Sequence, residues 1–113
     1  MKALNFNTIQ QPTWPVTLKD DDQTTVNLTA PSVELVDRLV AMAPELEEVA
    51  KTKDGRTIRA CYELLAEVMS CNADGFKFTA EELRDKYKLP FVDLLILENG
   101  YMEFIAEIKN AKN

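Results

Sequence analysis

A chain of 113 residues with 46% apolar content and a formal charge of −6 has the length and composition of one globular domain with a single core. The acidic balance counts against nucleic acid, because phosphate binding draws on clustered Lys and Arg, and Arg84 to Lys88 (RDKYK) is short and itself holds an acid. There is no histidine, which removes the commonest neutral-pH acid/base and the commonest metal ligand, so an enzyme is not expected.

The N-terminal residues alternate Leu4 and Phe6 with Asn5 and Asn7, the pattern of a short strand. Polar residues follow Met1-Lys2 closely, so no signal peptide is expected. Pro12 and Pro15 bracket Trp14 and favour extended backbone at Gln11 and Trp14. Trp14 is a candidate partner-binding anchor; the alternative is that it folds over the edge of the core. Val16 and Leu18 alternate with Thr17, and Val26 and Leu28 with Asn27, which predicts a hairpin turning through Lys19 to Thr24. Asp20, Asp21 and Asp22 in that turn do not make a Ca²⁺ loop. Counted from Asp20, the positions that require glycine and glutamate hold Thr25 and Pro31.

A helix is expected from near Pro31, capped by Thr29 or Ala30, with Val33, Val36, Leu39, Val40 and Ala43 on one face. Pro44 should interrupt or kink it, leaving Glu45 to Val49 as a short second helix. Thr52 to Gly55 reads as a turn, and Thr57 as the cap of a helix whose stripe is Ile58, Cys61, Tyr62, Leu65, Val68 and Met69. Asn72 to Gly75 ends it. Thr79 and Glu82 form a T-x-x-E capping box that opens a further helix, holding Leu83 and Tyr87 and ending before Pro90.

From Phe91 to Leu97 the only charge is Asp93, so this run is apolar nearly all the way round a helix. Such a helix is either central to the core or covered by a partner. Leu94, Leu95, Glu98, Met102, Ile105 and Ile108 keep helical phase across Asn99-Gly100, predicting one helix with a weakened middle. Val92, Ile96 and Leu97 fall partly outside that stripe and join Trp14 as candidate protein-binding residues. The run is far short of the ~20 residues that span a bilayer, and no membrane partner is expected.

The fold class is therefore α+β, mostly α: a hairpin region over residues 1–30, then a compact bundle of four to five helices over 31–113, in one domain. Cys61 and Cys71, ten residues apart on one predicted helix, would lie about 15 Å apart, too far for a disulfide. Two reduced thiols point to a cytosolic setting. The pairs Glu63/Glu67 and Glu103/Glu107 alternate with apolar residues as solvated helix faces do. No metal, cofactor or catalytic residues are expected.

The order of hairpin, P-S-V-E-L-V-D-R-L helix and further helices resembles the tail assembly chaperones of long-tailed, siphovirus-type bacteriophages. The resemblance covers most of residues 16–110 in element order. It is sharpest over VTLKDDDQTTVNLTAPSVELVDRL, from Val16 to Leu39. It implies a non-enzymatic role in the host cytoplasm, coating the aggregation-prone tape measure protein and helping to deliver tail tube subunits. It also implies a longer frameshifted product in many members, for which the Lys-Asn-rich end, Lys109 to Asn113, would overlie the slippery site. A second reading, a small oligomeric adaptor without chaperone activity, explains the same apolar surplus by self-association.

Overall fold

The structure, a computed structural model, describes residues 3–6, 11–52 and 55–110. The fold is α+β and mostly helical, a two-stranded antiparallel hairpin followed by helices. Strand β1 (Trp14–Thr17) pairs with β2 (Thr25–Leu28) in a register that sets Val16 opposite Val26 and Trp14 opposite Leu28. Asp20 closes the turn between them. Its carboxylate accepts from the Thr24 amide at 2.8 Å and from the Thr24 hydroxyl, and its carbonyl accepts from the Gln23 amide at 3.0 Å. These bonds hold the Asp20 carboxyl below the usual carboxylate range. Asp20 thus has a structural use, as an Asx-type closure.

Leu4 and Phe6 are not in a strand, and both are exposed. The outer edge of β1 carries Pro15, which has no N–H to donate, and the outer edge of β2 is already taken. Asn72 bridges to Leu28, the Thr29 amide donates to the Cys71 carbonyl at 2.8 Å, and the Ala73 amide to the Asn27 carbonyl at 2.9 Å.

Helix α1 (Val33–Thr52) runs straight through Pro44 as one element, where two were expected. Its cap is Ser32, whose Oγ accepts from the Leu35 amide at 3.2 Å. The only intrahelical bond that Pro44 removes is the one to the Val40 carbonyl, and both residues are exposed, so water can serve that carbonyl. The buried face is also different from the expected one. It runs Leu35, Leu39, Leu46 and Val49, while Val33 and Val40 face solvent.

Helix α2 (Gly55–Ser70) begins two residues before Thr57; the Lys53-Asp54 part of the expected turn lies outside the described residues. It is the central element. Cys61, Tyr62, Leu64, Leu65, Ala66, Val68 and Met69 are all buried, and the helix packs against α1, β2 and the helices that follow. The loop after it is organised by Asn72, whose side chain accepts from the Asp74 and Phe76 amides and donates to the Met69 and Phe76 carbonyls. Gly75 adopts φ +80°, a conformation that costs other residues strain. The capping box forms in both directions: the Glu82 amide donates to Thr79 Oγ at 3.1 Å, and the Thr79 amide to the Glu82 carboxylate at 3.0 Å. The helix it opens widens into a π turn (Glu82–Lys86), closed by the Tyr87 amide on the Glu82 carbonyl at 2.9 Å.

Helix α3 (Phe91–Asn110) is continuous through Asn99-Gly100. Its core face is Leu94, Leu97, Glu98, Tyr101 and Phe104. Leu95, Met102, Ile105 and Ile108, expected at its centre, are only half-buried, so the helix is turned from the predicted phase. Among the described residues no helix is long and apolar enough to cross a membrane.

Candidate functional site

Three of the four candidate binding residues lie close together along β1 and the first half of α3, and they differ in burial. Trp14, at the start of β1, is half-buried with its indole laid across Gly100. A Cβ at Gly100 would come within 2.5 Å of Trp14 Cη2 and 2.7 Å of Cζ2. The ring lies 6.3 Å from the Phe104 ring, nearly parallel to it, and 6.4 Å from that of Tyr101. Tyr101 is fully buried, and its hydroxyl donates to the Thr29 carbonyl at 2.8 Å, which ties α3 to the end of the hairpin. The glycine that looked like a weak point is the seat of the indole. Trp14 therefore folds over the core edge, and its outer side still lines a groove.

That groove, about 250 Å³ in volume, runs between β1 and α3. Val16, Leu18, Met69, Leu89 and Leu97 contribute its apolar walls, Ile96 its outer rim, and Lys19 and Asp93 its polar end. The Lys19 ammonium meets Asp93 Oδ2 as an ion pair that is off the angle of an aligned hydrogen bond. Leu89 is positioned from two sides. Its amide donates to the Leu83 carbonyl at 3.0 Å, and its carbonyl accepts from the Tyr62 hydroxyl at 2.6 Å. Lys88, at φ +52°, makes the turn that brings it there.

Val92 is 57% and Ile96 65% exposed, one helical turn apart on the side of α3 opposite its core face. Leu97 is buried and belongs to the core, contrary to its expected place outside the stripe. At 100° per residue it falls between Tyr101 and Phe104, once those two define the buried face. The groove walls from Met69 and Leu89 were missed by sequence reading. Their elements are assigned easily, but only the tertiary fold brings them beside β1.

Other titratable groups have structural surroundings. Burial, with the charge of Glu45, pushes the Cys61 thiol up to about 11, and burial raises Cys71 as well, so both thiols stay protonated at neutral pH. Arg38 donates to Glu67 at 2.9 Å across α1 and α2 and holds that carboxyl below its ordinary range. Both side chains are about half exposed, so this pair is worth at most about 1 kcal/mol. Among the described residues, no group of three or more His, Cys, Asp or Glu is placed to hold a metal ion.

No family model, curated protein or solved structure matches this chain. The site rests on its own geometry.

Among the described residues Glu98 is the one charged core residue, 5% exposed, and desolvation raises its carboxyl, with the charge of Glu47 on α1 adding to the effect. A raised folded-state pKa means stability that is complete below the unfolded carboxyl's pKa and is lost as pH rises through the folded value. Glu98→Gln should therefore raise the melting temperature at pH 7.5 and lose that advantage as pH falls towards 4. Thermal unfolding of both proteins across that range checks it. A variant no more stable than wild type at pH 7.5 would show that the carboxylate is solvated.

Proposed function

We propose that this chain is a non-enzymatic binding protein of bacteriophage tail assembly, a chaperone that holds the tape measure protein in the host cytoplasm and assists tail tube assembly. The observation that carries the binding role is the apolar groove beside Trp14, rimmed by Ile96 with Val92 next to it, on a chain of net charge −6. Adjacent exposed aliphatic residues beside a preformed groove are the arrangement that captures apolar side chains of a partner. The assignment to tail assembly rests on the resemblance of Val16 to Leu39 and of the element order.

The test is co-expression with the tape measure protein encoded in the same genome. Wild type should bring that protein into the soluble fraction, and Ile96→Glu should reduce the soluble amount several-fold while its own helical circular dichroism is unchanged. Equal solubility with and without the chain would overturn the chaperone reading. Self-association by wild type without any partner rescue would point instead to the oligomeric adaptor.

A further inference from the structure

The groove has apolar walls, with exposed acids beyond both ends and the exposed Lys86 near the hairpin turn at one of them. Lys19, the cation at its end, is matched by Asp93 within the wall. Beyond Lys19, exposed Asp21 and Asp22 crown the hairpin turn. Along the solvent side of α3, exposed Glu103 follows Ile96 by seven residues, about 10 Å. With −6 on each chain, a second copy would bring like charges together, whereas a cationic partner meets complementary potential.

The backbone limits the shape of the occupant. The Leu18 amide donates to the Thr24 carbonyl, and Asn27 turns its amide and carbonyl outward to Asp74 and Ala73. By the alternation of an antiparallel ladder, Pro15 and Thr17 therefore present their backbone at the edge of β1 away from β2, where no described residue pairs as a strand. Pro15 has no N–H to offer, so an added strand would lose a donor near the middle of its ladder. A volume of about 250 Å³ also lies below the ~300–1,000 Å³ of small-molecule sites. What fits is a few side chains from a folded ridge.

Building on the binding role above, we propose that the groove takes a basic amphipathic helix. Apolar side chains spaced i and i+3 or i+4 seat against Trp14, Ile96 and Leu97, and flanking Lys or Arg face Asp21, Asp22 and Glu103. Helix-in-groove recognition reads this spacing.

The probe is a synthetic leucine–lysine peptide of about 20 residues, long enough to form a helix, with leucine at i, i+3, i+4 and i+7. Its counterpart carries Glu for every Lys. Trp14 is the only tryptophan of the chain and lines the groove, so its emission reports occupancy. The lysine peptide should shift that emission saturably and bind at least tenfold tighter than the glutamate peptide at low salt, with the gap closing as salt rises. Ile96→Glu should weaken the lysine peptide by tenfold or more. That substitution makes the protein more acidic, so association by charge alone would tighten instead. Equal binding of the two peptides, tightening by Ile96→Glu, or an unchanged emission with either peptide would each overturn the inference. A tape measure protein kept soluble while neither peptide engages would remove this inference and leave the chaperone reading in place.

Discussion

Tyr101→Ala should destabilise the fold by about 3–5 kcal/mol, the cost of truncating a large aromatic side chain in a well-packed core. Tyr101 is fully buried in the middle of α3, packs against Trp14 and Phe104, and donates to the Thr29 carbonyl. Its loss opens a cavity where the hairpin, α3 and the entry to α1 meet. Tyr101→Phe separates the two contributions. It keeps the ring and leaves the Thr29 carbonyl without its donor, which should cost about 1–2 kcal/mol. Denaturant unfolding of both variants gives the two values. A cost below about 1 kcal/mol for the alanine variant would mean that α3 is not anchored there.

Gly100 carries the second large effect, and its sign is the informative part. Alanine at an ordinary helical glycine stabilises by about 1 kcal/mol. Here the added methyl would strike the Trp14 indole, and overpacking of this kind costs about 1–3 kcal/mol. Gly100→Ala should therefore be destabilising in the wild type. In a Trp14→Ala background the obstruction is gone, and the same substitution should become stabilising. The double-mutant cycle measures the difference as a coupling energy of about 1–3 kcal/mol, the overpacking cost alone, because the propensity gain is common to both backgrounds. Additive substitutions would show that the indole does not sit on this glycine.

The hairpin, the capping box at Thr79 and the central helix α2 were legible because each is written in local chemistry: period-two alternation, a paired cap and a dense apolar stripe. The face of α1 was not. Treating Pro44 as a break discards Leu46 and Val49, and without them Val33 and Val40 look like core. Once the helix continues, Leu35, Leu39, Leu46 and Val49 make the longer stripe, and the two valines rotate outward. Proline on the solvent side of a helix removes a bond that water can replace, so its presence in the sequence does not by itself set a boundary.

The phase of α3 failed for a related reason. A segment apolar on all sides carries little rotational information, and the true face is set by Tyr101 and Phe104 meeting Trp14, a contact between distant parts of the chain. Of the candidate binding residues, Val92 and Ile96 are exposed, Leu97 is core and Trp14 is shared between core and groove. The groove itself was not legible, because Met69, Leu89 and β1 become neighbours only through the packing of α2 and the turn at Lys88.

Amide hydrogen exchange tests the proposal that a protein partner is held along β1 and the first half of α3. Exchange is compared between the chain alone and its purified complex with the tape measure protein. Slowed exchange is expected over residues 13–19 and 91–97, with the outer face of α1 unchanged. Protection confined to α1 around Val33 and Val40, with β1 and α3 exchanging as in the free chain, would contradict it.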